Sequence, residues 1–159
     1  EASKKDRRVL YFGLVQGLLM SGAEGYLAEL SDSQVKGLQV ACNCGVRAVA
    51  GLPRKGKVPI SEAGRDLRIP TVSLLRQEVL ERSAWKRAGE FREETLQRAY
   101  KTRKVCDGNV TMPLSSSGRD IEVLEMKTWN ELPEGIRGCD NIKAVRSWQK
   151  GRRWSRTIE

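Results

Sequence analysis

Few residues in this chain could carry covalent chemistry. Its 159 residues include no histidine, which excludes imidazole acid–base catalysis, Cys–His nucleophilic pairs and zinc sites with histidine ligands. Asp6, Asp32, Asp66, Asp107, Asp120 and Asp140 are scattered. None forms the Asp-x-Asp or Asp-Asp pair that would clamp two metal ions. Glu93 and Glu94 are neighbours, and neighbours on a helix point to different sides, so they read as surface. Ser115, Ser116 and Ser117 have no visible base to activate a hydroxyl. Neither a Walker-type phosphate loop nor a dinucleotide fingerprint is present. Cys42, Cys44, Cys106 and Cys139 do not form a C-x-x-C framework, and they are too sparse for a secreted disulfide scaffold. A four-thiolate zinc site is arithmetically possible, but structural sites pair ligands at wider local spacing. The cysteines read as small buried hydrophobes in a reducing, intracellular compartment, nucleus or cytoplasm. The expectation is a chain with no catalytic centre, no metal and no cofactor of its own.

The chemistry that remains is cationic. Lys+Arg number 29 against 20 Asp+Glu, a formal net charge of +9. Clustered cations attract polyphosphates and displace their counterions, which supplies affinity without sequence specificity. Three clusters stand out: Lys4/Lys5/Arg7/Arg8, then Arg54/Lys55/Lys57, then a C-terminal run of Lys143, Arg146, Lys150, Arg152, Arg153 and Arg156. No acid lies between Asp140 and Glu159. Trp148 and Trp154 are interleaved with this run, and such rings either stack on unpaired bases or pack the tail onto the rest of the chain. The Arg54 loop, bounded by Pro53 and Pro59, is either a phosphate contact or a plain connector.

The elements that must position these groups read as helices. Residues 4 to 21 begin basic and turn apolar almost all round, which predicts a buried helix ended by Gly22 and Gly25. Ser31-Asp32-Ser33 is a helix start, and Val35, Leu38, Ala41, Cys42, Gly45, Val46, Ala48, Val49 and Leu52 form one stripe, closed by Gly51 and Pro53. Ser61-Glu62 starts a short helix through Leu67, and Pro70 resets the chain. From Thr71 to Val105, apolar positions recur at helical spacing with a break near Gly89, and the many charges read as a solvated face with i,i+4 pairs. Residues 106–119 read as a linker. Ile121 to Trp129 predicts a short helix, Asn130 to Pro133 a turn, and Asn141 to about Trp154 a basic helix. The Val9–Met20 run is too short and too interrupted to span a membrane. The first residue is Glu, which reads as an excised piece or a partial record.

In order along the chain, Leu10-Tyr11-Phe12-Gly13-Leu14-Val15, Ser21-Gly22, Tyr26, Leu38-Gln39, Asn43-x-x-x-Arg47, Gly51-x-Pro53-Arg54 and Leu67-x-Ile69-Pro70 precede a Leu/Arg-rich helix at Leu74–Leu80. Trp129-Asn130-Glu131-Leu132-Pro133 with Ile136-Arg137 follows. This series resembles the segment after the palm in LINE-type (non-LTR) retrotransposon reverse transcriptases, with W-N-x-L-P the most specific fragment. Ser21 and Tyr26 depart from the family's usual Tyr and Trp, and Val145 from its frequent Phe. The resemblance implies the thumb and connector of such an RNA-directed DNA polymerase, cut away from the palm that would hold magnesium. It implies a mostly α fold: a helical thumb-like lobe at 1–105, the linker at 106–119, and a connector at 120–159 carrying W-N-x-L-P and a basic helix.

The implied partners are RNA, RNA–DNA hybrid or DNA, and the palm and fingers of the parent enzyme, with no membrane. The expected nucleic-acid contacts are Arg47, Arg54, Lys55, Lys57, Lys143, Arg146, Lys150, Arg152 and Arg153. Arg47 has a competing role as an ion-pair partner or carbonyl cap near its helix end, and Asn43 reads as a structural amide. The rival expectation is an expressed remnant that serves as a structural or protein-interaction module.

Overall fold

The structure, a computed structural model, describes residues 2–53, 59–88 and 121–155. These residues are mostly helical, with no strand among them, as the sequence periodicity predicts. The chain divides into two compact units, the first running through Gln77 and including Arg153 onward, the second from Glu78 to Arg152.

In the first unit, α1 (Lys4–Leu10) begins at a reciprocal cap in which Ser3 Oγ accepts from the Asp6 amide and the Asp6 carboxylate accepts from the Ser3 amide. The helix widens into a π turn over Tyr11–Gln16 and returns to α2 (Gly17–Met20). A short α3 (Ala23–Tyr26) follows. The long helix α4 (Asp32–Ala50) starts at a second capping box, between Ser31 and Gln34, and stops at Gly51 with φ of 70°. That left-handed conformation is open to glycine without a Cβ penalty. Val35, Cys42, Val46 and Val49 are its buried positions, and Ala41 and Ala48 of the expected stripe face solvent.

One contact fixes how the leading helix meets α4. A Cβ on Gly45 would stand 2.7 Å from Cε2 of Tyr11, so the missing side chain lets the ring lie against the helix backbone. Tyr11, Val46, Val49, Ala63, Leu67 and Ile69 form the core of this unit, with Phe12, Val15 and Leu52 packed on it. Burial first, and the adjacent Cys42 thiol second, push the Tyr11 hydroxyl up to about 12. Burial also raises the Cys42 thiol.

The leading helix departs from the fully buried element its composition predicts. Val9, Leu10, Leu14 and Leu18 are between 56% and 74% exposed. The Tyr11 side of the helix finds apolar neighbours, and the row of Leu10, Leu14 and Leu18 lies on the other face.

α5 (Ile60–Asp66) ends in an unusual way. The Arg68 amide donates to the Arg65 carbonyl and the Ile69 amide to the Gly64 carbonyl, both at 2.8 Å. This is a Schellman closure with Arg68 at the left-handed position, φ of 52°. A non-glycine residue there costs about 1 kcal/mol.

α6 (Val72–Lys86) starts where Thr71 Oγ1 accepts from the Leu74 amide. Its first turns belong to the first unit, where the Val72 amide donates to Gln39 and Arg76 pairs with Asp32. The rest belongs to the second unit with α7 (Ile121–Glu131), α8 (Glu134–Arg137) and, as far as Arg152, α9 (Ile142–Ser155). The W-N-x-L-P motif has a packing explanation here. Trp129 and Leu132 are buried with Ala84 and Met126, Pro133 stands just before α8, and Ile136 closes over the cluster.

The solvated face expected of α6 is partly wrong. Glu78 and Glu81 are 0% and 2% exposed. Gln149 Nε2 donates to the Glu78 carbonyl and to Glu81 Oε2, both at 2.9 Å, and Arg152 grips Glu81 with two bonds of 2.6 and 2.8 Å. Arg87 reaches buried Glu125 at 2.6 Å, and Ser83 bonds the same carboxylate. Buried carboxylates are tolerated when paired and hydrogen-bonded in this way. The expected break near Gly89 and the linker at 106–119 lie outside the described residues.

Candidate nucleic-acid interface

The clearest basic surface is on α9. Its sequence places two rows side by side: Ile142, Val145 and Gln149 on one, and Lys143, Arg146 and Lys150 on the next. Val145 and Gln149 are buried, Trp148 packs against the second unit's apolar cluster, and all three cations of the neighbouring row are exposed. At 100° per residue these cations fall within roughly 60° of arc and about 10 Å of helix length. The helix is held on one side by apolar contacts and the Gln149–Glu81 bond, so the basic row is presented by a fixed element. Asn141 Oδ1 accepts from the Lys143 amide at 2.8 Å and anchors the first turn.

The remaining expected contacts are distributed differently. Arg152 is bound to Glu81 and lies 4.5 Å over the Trp148 ring, so its guanidinium belongs to the internal network. Trp148 is the packing residue of the two roles open to it in the sequence, and the Trp154 side chain lies outside the described set. Arg153 is half-buried. Arg54, Lys55 and Lys57 lie outside the described residues.

Arg47, in the first unit, donates to the Pro53 carbonyl at 3.1 Å. That is the carbonyl-cap role, and it satisfies the chain just after the end of α4. Arg7 does the same service from α1, donating to the Ala48 carbonyl at 3.3 Å. Asn43 accepts from Gln39 at 2.8 Å, and Gln39 in turn accepts from the Val72 amide at 2.7 Å. This amide relay ties α4 to the start of α6 and is structural.

Sequence reasoning passed over Arg68, which lines a recess together with Lys4, Lys5 and Arg8. A helix ending just before Leu67-x-Ile69-Pro70, with no glycine at its close, was the available signal.

Among the described residues, no group of three or more His, Cys, Asp or Glu side chains could hold a metal ion. No helix among them is long and apolar enough to cross a membrane. Exposed Lys and Arg side chains can donate charge-assisted hydrogen bonds to oxyanions. No family model, curated protein or solved structure matches the chain.

Proposed function

We propose that this chain is a non-catalytic nucleic-acid-gripping segment, the thumb and connector of a non-LTR retrotransposon reverse transcriptase. It holds template–primer duplex (RNA, RNA–DNA hybrid or DNA) through its phosphates. The observation that carries the reading is the exposed row of Lys143, Arg146 and Lys150 on a helix pinned from behind. Phosphate contacts of this kind position a duplex without reading its sequence. The order of family-like fragments, with Trp129 and Leu132 of W-N-x-L-P in the core of the second unit, supports the same reading. In this reading the chemistry and its magnesium belong to the palm of the parent enzyme, and the setting is intracellular and reducing.

The exposed row of Leu10, Leu14 and Leu18 favours a second reading, in which an expressed remnant docks onto another protein. In the first reading that row is the face that meets palm and fingers.

Fluorescence anisotropy of a labelled RNA–DNA hybrid, titrated with the full chain over a range of salt, tests the proposal. Log affinity falls linearly with log salt, by about 0.9 per phosphate neutralised. The triple change Lys143→Ala/Arg146→Ala/Lys150→Ala flattens that slope by about 2 to 3 units. Affinity that does not respond to salt sinks the reading.

A further inference from the structure

A second cationic surface lies in the first unit and is made of residues other than those named in the proposal above. An open recess of about 450 Å³ is lined by Lys4, Lys5, Arg8, Asp66, Leu67 and Arg68. Four cations face one carboxylate. The cations come from two separate pieces of chain, the start of α1 and the closure after α5, so the cluster is assembled by folding.

Three features show how the cluster is built. Lys4 and Lys5 are exposed on the first turn of α1. Asp6, the acid among them in sequence, is turned back to cap the helix through the Ser3 amide and hydroxyl and does not line the recess. Arg7 is directed away, to the end of α4, whereas Arg8 lies 5.2 Å over the Phe12 ring, which orients its guanidinium.

Arg68 supplies the independent observation. It is the sole non-glycine residue with positive φ among the described residues. The equivalent turn after α4 uses Gly51. Where glycine would close the helix without strain, this chain places an arginine, and that arginine lines the recess. Strain held at a surface position points to use of the side chain.

We propose that the Lys4/Lys5/Arg8/Arg68 recess is a phosphate seat for the backbone of a bound polynucleotide, a contact site additional to the α9 row. The inference rests on the nucleic-acid reading above and names a further place where the strand is held. The ligand group is a phosphodiester oxyanion. It is held by the guanidinium and ammonium donors, and Asp66 disfavours a second negative group at the rim.

The same anisotropy titration with the hybrid tests it on four single-site or row variants. Arg68→Gly weakens binding at low salt about tenfold and lowers the salt slope by about 1. Lys5→Ala, at an exposed position, lowers the slope by a similar amount. Arg68→Lys keeps the charge and retains the wild-type slope. In a thermal melt, Arg68→Gly unfolds about 3 °C higher than wild type, so its weaker binding is not loss of fold. Wild-type slopes for both Arg68→Gly and Lys5→Ala, alongside a flattened slope for the α9 triple variant, overturn the recess and leave the nucleic-acid reading standing. Salt-independent binding by the wild type overturns both. If Arg68→Gly instead loses binding to phosphatidylserine-rich vesicles while keeping its grip on the hybrid, the seat takes a lipid headgroup and the proposal fails.

Discussion

In the first unit, Arg7 and Arg47 reach backbone carbonyls near the end of α4, and Arg76 pairs with an exposed Asp32. In the unit from Glu78 to Arg152, Arg87 and Arg152 reach carboxylates that are almost wholly buried. The first core is apolar and closely fitted around a tyrosine ring. The second mixes Trp129, Met126 and Leu132 with glutamates held by arginine and glutamine. The contrast teaches that net charge overstates binding capacity. A +9 chain uses several cations to complete its own fold, and among the described residues two groups of exposed cations lie on α9 and in the recess near α1.

The comparison can be broken at its polar end first. Removing one partner of a buried pair leaves a charge without compensation, whereas removing both can be nearly neutral. Glu81→Ala should destabilise the chain by about 3 kcal/mol in urea denaturation. The double change Glu81→Leu/Arg152→Leu should recover most of that loss. If the single change costs under about 1 kcal/mol, Glu81 is not the anchor of the second unit that its burial and bonds imply.

The fitted core comes next. Gly45→Ala forces a methyl group into the Tyr11 ring, and overpacking of this kind costs about 2 kcal/mol. The pair Gly45→Ala/Tyr11→Leu should be less damaging than the sum of its parts, since the ring is what the methyl meets. Additive losses in a denaturation cycle would show that the close approach is not what shapes this core.

The smallest effect is electrostatic. The Tyr11 hydroxyl ionises at about 12 in the folded chain against 10 for a free tyrosine. The folded state therefore keeps its proton while the unfolded state loses it, and stability falls as pH rises from 10 towards 12. The loss is under about 1 kcal/mol at about pH 10.5. Tyr11→Phe should remove this part of the alkaline decline when melting temperatures of the two proteins are compared across pH. Identical declines would place the Tyr11 hydroxyl in contact with water.

How much was legible depended on how local the signal was. The bounds of α4 followed from Ser31-Asp32-Ser33 at its start and Gly51 with Pro53 at its end, all local to the backbone they cap. The basic helix α9 was legible for the same reason, since its anchored and cationic rows both repeat at helical spacing. The burial of Glu78 and Glu81 was not, because Gln149 and Arg152 lie about seventy residues downstream and no local rule pairs them. For Arg47 a place near its helix end already offered the carbonyl-cap role, whereas nothing local pointed to the ion pair that Arg152 makes. Arg68 was missed because helix ends are recognised by glycine, and here the geometry is kept without one. The leading helix misled by its composition: an apolar run with two glycines gives no indication of which side is covered.

The π turn at Tyr11–Gln16 constrains how this helix can change length. Its backbone bonds skip one residue further than those of the α-helical turns on either side. Deleting a single residue there would restore ordinary bonding at every position. It would leave all that follows in place, because the wide turn already absorbs one extra residue, so Leu18 would stay in line with Leu10. A one-residue deletion in this stretch is thus silent both to the backbone and to the face the helix shows, whereas one in α1 or α2 turns every later residue by about 100°.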